Sequence, residues 1–259
     1  MLQLFKTRSG QGKRTIDFPG PQKLPDRFRG RPQLLPGLCK DGCRVCADAC
    51  PTEAIRLTPL ALDLGACLFC GVCEEACPEG AITFGEHHEM SFRTREAMVL
   101  DGAEMQLAAA LDARMRSLFG RSLRLRHVAA GDCSGCAAEL NALGNVVFDL
   151  GRFGIQFVAS PRHADGLVIS GPVTANMRAA LKLAYEAMPA PKIVIAVGAC
   201  AISGGPFRGS PAAGEGVPSD IPVDLYIAGC PPHPLTMLDG LLRLLGRGPT
   251  KLPEIGNEA

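Results

Sequence analysis

The sequence predicts an α/β chain in two parts, a small cysteine-built module followed by a larger domain around a parallel sheet. Twelve cysteines fall in three complete sets of four, at 39, 43, 46 and 50, at 67, 70, 73 and 77, and at 133, 136, 200 and 230. Beyond Leu123, short apolar runs without alternation are separated by a helical stretch, as expected for strands covered on both faces by crossover helices. The 259 residues allow two modest domains, and 47% hydrophobic content excludes wholesale disorder. A net charge of +1 lacks the basic excess that phosphate contacts demand, so no nucleic-acid partner is expected. No stretch reaches the roughly 18 consecutive apolar residues of a membrane span. The opening MLQLFKTRSG has neither a continuous apolar run with a cleavage site nor an Arg pair, so export is not expected.

The elements follow in order. Residues 1–37 read as a basic N-terminal arm: positions 1–32 carry eight Lys or Arg against two acids, and Pro19, Pro21, Pro25 and Pro32 favour an extended course. Residues 38–98 form an acidic module with nine acids against three bases over 38–90. So few large side chains need metal to hold them together. Residues 99–122 read as a linker helix, with Met105, Ala108, Leu111 (or Asp112), Met115 and Leu118 at helical spacing. The last domain, 123–259, contains a buried strand over 166–171 and a helix over 175–188 behind the N-cap candidate Thr174, closed by Pro189 and Pro191. Two further strands follow at 192–198 and 224–229. Cys200 and Cys230 come just after two of these strands, where open parallel sheets place their ligand sites.

In a chain of this length for which export is not expected, clustered cysteines point to metal rather than disulfides. Cys39-KDG-Cys43-RV-Cys46-ADA-Cys50-Pro51 is followed by Cys67-LF-Cys70-GV-Cys73-EEA-Cys77-Pro78. The repeat extends beyond the thiols, since CADACPTEAIRL matches CEEACPEGAITF at an offset of 27 residues. This run resembles the bacterial two-cluster ferredoxins, in which the fourth Cys of each motif ligates the other cluster. The resemblance implies one 4Fe–4S cluster on Cys39, Cys43, Cys46 and Cys77, and another on Cys67, Cys70, Cys73 and Cys50. Three residues, not two, separate Cys39 from Cys43, and Gly42 is the residue able to absorb the resulting bulge. Paired C-x2-C units also suit tetrahedral zinc, which makes a zinc-stabilised scaffold the rival reading.

Cys133-Ser134-Gly135-Cys136 gains force from Cys200 in VGACAISGGPF and Cys230 in IAGCPPHP. Four thiols on three Gly- or Pro-rich loops suit a third 4Fe–4S cluster. The segments SPRHADGLVISGPVTANM, AMPAPKIVIAVGACAISGGPF and GCPPHP resemble the small subunit of group 4 energy-converting nickel–iron hydrogenases. That subunit is related to the quinone-site cluster subunit of respiratory complex I, which has adjacent cysteines where this chain has a spaced pair. Residues 1–98, with FRGRP before the first cysteine, resemble the two-cluster ferredoxin subunit of formate hydrogenlyase-type complexes. The chain thus resembles a fusion of two subunits.

The resemblance implies a two-cluster ferredoxin-like α+β domain followed by a flavodoxin-like parallel-sheet domain. It implies that Cys133, Cys136, Cys200 and Cys230 hold a proximal cluster beside a hydrogenase or complex I-like large subunit. All twelve thiols being committed, no catalytic metal is expected on this chain. The implied function is electron transfer between a donor (a formate or carbon monoxide dehydrogenase module, or a ferredoxin) and a nickel–iron large subunit. Membrane-arm subunits would hold the chain peripherally on the inner face of the cell membrane. A relay to a quinone or other acceptor without nickel is the alternative.

Other residues invite simpler readings. Glu139, one turn after Cys136, is a candidate for a proton path against helix capping. His87 and His88 read as a solvated hairpin, and His163 as loop packing. His233 follows a thiol set that is already complete. Ser203-Gly204-Gly205 resembles an anion cradle but lacks the Gly-Lys-Ser/Thr that nucleotide binding requires.

Overall fold

The computed structural model describes residues 2–20, 22–103 and 105–248. Pro21 of the arm, Glu104 of the expected linker helix and the 249–259 end of the expected last domain lie outside the described residues.

The arm is not extended from its start. Leu2–Gln11 forms helix α1, a stretch free of proline that ends as Gly12 turns to a φ of +61°. None of its residues is buried. The chain then lies on the molecule's own second half: Ile16 N–H donates to Val147 O at 3.0 Å, Thr15 Oγ1 donates to Val146 O at 2.9 Å, and Phe18 enters the main core. Strand β1 (Pro32–Leu34) follows.

The sequence duplication appears as a structural one. Helix α2 (Val45–Asp48) precedes the hairpin β2 (Ile55–Leu57) and β3 (Leu60–Asp63), and helix α3 (Val72–Ala76) precedes β4 (Ile82–Phe84). Strand β4 pairs antiparallel with β1. Ala54 and Ile55 of the first copy are buried as are Ala81 and Ile82 of the second. Gly42 takes a φ of +77° in the enlarged Cys39 loop, with open space where a β-carbon would sit.

The expected border at residue 98 is crossed twice. Strand β5 (Ser91–Phe92) pairs antiparallel with a strand of the second half, whereas β6 (Val99–Leu100) returns to β3. The linker helix is shorter than its periodicity predicts. Among the described residues of this stretch, Ala113–Phe119 alone is helical (α4), capped by Asp112, whose Oδ1 accepts the Met115 N–H at 2.9 Å. Ala108 and Leu111 are buried as expected, but by a non-helical segment whose N–H groups donate to Ser91 O and Leu244 O. Those tertiary bonds displace the local helical preference.

The second half comprises β7 (Leu123–Ala129), α5 (Gly135–Ala142), β8 (Ile155–Phe157), β9 (Gly166–Ser170), α6 (Ala175–Ala187), β10 (Ile193–Val197), α7 (Gly198–Ser203), β11 (Leu225–Ile227) and α8 (Pro234–Leu244). The sheet order β5-β11-β10-β9-β7-β8 is parallel except at β5. Numbered from β7, its parallel strands run 2-1-3-4-5, the flavodoxin-like order. Every residue of β9 and β10 is buried, which accounts for their unbroken apolar runs. Next to them β7 alternates, burying Leu123 and Leu125 and exposing Arg124. The order reverses between β7 and β9, so the loops leaving these two strands flank the expected ligand crevice.

Candidate metal centres

Each of the first two thiol sets surrounds a cavity, and each cavity takes one cysteine from the other motif. Cys39, Cys43, Cys46 and Cys77 line a space of about 320 Å³ floored by Leu60 and Ile82. Cys50, Cys67, Cys70 and Cys73 line one of about 310 Å³ against Leu62 and Phe84. The cause is local: the turn after each short helix carries Cys50 and Cys77 away from their own motifs. In both turns the same bond recurs, Ala54 N–H donating to Cys50 Sγ and Ala81 N–H to Cys77 Sγ, each at 3.3 Å. Phe69 N–H donates to Cys67 Sγ at 3.3 Å. Amides aimed at sulfur favour the thiolate.

Burial opposes that charge. It pushes the Cys67 thiol up to about 12 and Cys73 up to about 11, with neighbouring thiols adding to the effect. Cys46 is raised the same way. Buried thiols that raise one another need positive charge among them before they ionise, and a metal core supplies it. None of the twelve cysteines is in a disulfide. Among the described residues no group of three or more His, Cys, Asp or Glu is arranged to hold a single metal ion.

The third set lies beyond the carboxyl ends of the parallel strands. Cys133 and Cys136 follow β7, Cys200 follows β10 and Cys230 follows β11. Cys200 lies on α7 and Cys136 on α5, so two of the expected loop positions are helical. Burial first, then the other three thiols and Asp132, raises Cys136 to about 12; the same causes, with Cys230 and Cys133 as the neighbours, raise Cys200 to about 11. Gly198 sits where the three strand-end segments meet. At a φ of +86°, a methyl group there would lie 2.6 Å from Cys136 Sγ and 3.4 Å from Gly229 O. Burial pushes the Cys230 thiol up as well, with Cys133 and Cys70 adding to the effect. Four thiols per set, amide donors on sulfur and a glycine cradle under Cys136 fit iron–sulfur clusters.

The remaining candidates fall elsewhere. Glu139 is half-buried on α5, and burial pushes its carboxyl up. His87 and His88 are not a solvated hairpin: both lie 3.9 Å from the buried Glu89 carboxylate, and His88 packs on Phe18 with ring centroids 5.9 Å apart. The arm folding over this turn is the reason. His163 is exposed in a short turn, so packing does not explain it. His233 caps α8, its Nδ1 accepting the Leu235 N–H at 3.2 Å between the rings of Phe28 and Phe148. Ser203 Oγ donates to Gly65 O at 2.9 Å, stitching the two halves together rather than cradling an anion.

Sequence reasoning missed three residues beside the third set. His127 Nε2 lies 2.8 Å from Ser170 Oγ, and Ser170 Oγ donates to Asp132 Oδ2 at 2.5 Å. Asp132 Oδ1 in turn accepts the Ser134 N–H at 3.2 Å within the Cys133–Cys136 turn. An acid next to a motif cysteine was the one available signal.

Residues 133–244 match the family described as NADH ubiquinone oxidoreductase, 20 Kd subunit, and residues 60–83 match a 4Fe-4S binding domain. The chain is 44% identical over 133 residues to a probable membrane-bound hydrogenase subunit, mbhJ, of Pyrococcus furiosus, covering 51% of this chain and 80% of that protein. It is 50% identical over 110 residues to an NADH-quinone oxidoreductase subunit of Heliobacterium modesticaldum, covering 42% of this chain and 63% of that one. A chain of the archaeal membrane-bound sulfane sulfur reductase matches at 35% identity and a TM-score of 0.46, over 52% of this chain and 75% of its own length.

Proposed function

The chain belongs to the NADH ubiquinone oxidoreductase 20 Kd subunit family, and from that premise we propose that it carries electrons through three 4Fe–4S clusters to a nickel–iron large subunit. That it is an electron-transfer subunit of an oxidoreductase complex follows from the family itself. The finer reading is supported above all by the crossing of Cys50 and Cys77 between two four-thiol cavities.

Cys39, Cys43, Cys46 and Cys77 would hold the first cluster, Cys50, Cys67, Cys70 and Cys73 the second, and Cys133, Cys136, Cys200 and Cys230 the third. When bound, such clusters supply one-electron chemistry. The protein orients the thiols, aims amides at sulfur and keeps water from the buried members of each set. Holding the ferredoxin-like module and the parallel sheet in one chain fixes the spacing of the second and third sets, sparing a docking step. Cys133 is exposed, so the third set opens to the surface that a large subunit would cover.

The upstream donor in this reading is a formate or carbon monoxide dehydrogenase module, or a ferredoxin. The membrane-bound relative supports a peripheral place on the membrane through partner subunits. Among the described residues no helix is long and apolar enough to cross a membrane.

The test separates relay from catalysis. Cys200→Ala in the assembled complex is expected to stop electron flow to an external acceptor while hydrogen–deuterium exchange at the partner's metal persists. Hydrogen oxidation by the purified single chain would overturn the reading.

A further inference from the structure

Asp132 is the residue immediately before Cys133, and the fold holds it firmly. The parallel register of β7 on β9 sets Ala129 beside Ser170. Just beyond, the loop pulls close: Ala130 N–H donates to Ser170 O at 2.7 Å, and a β-carbon at Gly171 would lie 2.6 Å from Asp132 N. Ser170 is fully buried at the end of β9. A carboxylate oxygen only accepts, so the single Ser170 hydroxyl proton goes to Asp132 Oδ2. The His127 Nε2–H must then donate to Ser170 Oγ, which sets the tautomer of the imidazole. The three side chains form one directed chain of hydrogen bonds, His127 to Ser170 to Asp132, ending on a carboxylate whose other oxygen holds the Ser134 N–H.

We propose that Asp132, fixed by Ser170 and His127, sets the reduction potential of the third cluster by holding a negative charge beside its thiolates. The inference rests on the reading of Cys133, Cys136, Cys200 and Cys230 as cluster ligands. Reduction adds one electron to a centre already surrounded by thiolate charge, so a fixed carboxylate nearby opposes it and lowers the potential. Asp132 directly precedes Cys133, and its Oδ1 accepts the Ser134 N–H at 3.2 Å, so the carboxylate sits within the turn that carries two thiols of the third set. The effect should therefore be confined to one cluster of three.

A purely structural role predicts something different. Asn and Ser both keep an acceptor for the Ser134 N–H, so a residue that only braces the turn tolerates either. The experiment is a redox titration of the anaerobically reconstituted full chain, followed by electron paramagnetic resonance. In Asp132→Asn, the third signal is expected to rise by at least a tenfold change in its reduction equilibrium, about 59 mV for one electron. The first two signals should stay in place. Asp132→Ser, which also removes the charge, should shift the third signal the same way and serves if the Asn variant assembles poorly. Asp132→Glu, which keeps the charge, should return it toward wild type.

A third signal unmoved in both neutral variants, or equally displaced in the Glu variant, overturns the proposal. If instead the wild-type chain yields no third signal at all, the cluster assignment fails and not the role of Asp132 alone.

Discussion

Gly198→Ala tests the third centre without replacing a ligand. The substitution adds one methyl group at the junction of the Cys136, Cys200 and Cys230 segments, 2.6 Å from Cys136 Sγ, 3.4 Å from Gly229 O and 3.6 Å from Pro232 Cδ. Two costs add. A β-carbon at a φ of +86° costs about 1–2 kcal/mol. Forcing a methyl into a packed site adds about 1–3 kcal/mol more. The sum, on the order of 2–5 kcal/mol, corresponds to a fall in unfolding midpoint of roughly 5–15 °C. Relief comes most readily by pushing Cys136 Sγ away, because the other two contacts are backbone and a proline ring. The third cluster should then be lost first, and iron should fall from about twelve to about eight per chain. The assay pairs iron analysis with paramagnetic resonance of the reduced protein. A variant that keeps three signals and melts with the wild type would refute the reasoning.

Three further outcomes are expected. Cys77→Ala should remove the signal of the Cys39, Cys43 and Cys46 site, not that of its sequence neighbours, and destabilise the module, because cluster binding and folding are coupled there; loss confined to the Cys67 site contradicts crossed ligation. Leu181→Ala, at a fully buried position of α6, should cost about 2–5 kcal/mol in denaturant unfolding yet leave all three spectra unchanged. His233 is held neutral by burial, its pKa lowered below the ordinary 6.5. A depressed histidine contributes stability above the unfolded-state value that is lost as pH falls, since the unfolded chain takes up the proton first. Protonation also removes the Nδ1 acceptor that caps α8. Thermal stability should drop between about pH 7 and 5.5, and less so in His233→Gln, which loses the titrating group; an identical acid response in both proteins contradicts this.

Much of this architecture was legible in the residues. The runs 166–171 and 192–198 contain β9 and β10, and the helix between them ends before Pro189 as expected, because periodicity and proline act locally. The repeat offset between Cys50 and Cys77 anticipates two equivalent turns. What failed depends on contacts distant in sequence. The residues 105–112 have helical spacing, yet bonds to Ser91 O and Leu244 O draw them out of a helix. The arm reads as extended until Phe18 and Arg31 are seen buried over the His87–His88 turn. Asp132 and Ser170, 38 residues apart, meet only because β7 and β9 are neighbours in a reversed strand order, which no local pattern reveals.

Iron, sulfide and zinc analysis of the anaerobically purified chain tests the central claim most directly, because all twelve thiols are assigned to three clusters. The account predicts about twelve iron and about twelve sulfide per chain with little zinc. Stoichiometric zinc, with no visible charge-transfer absorption, would contradict it.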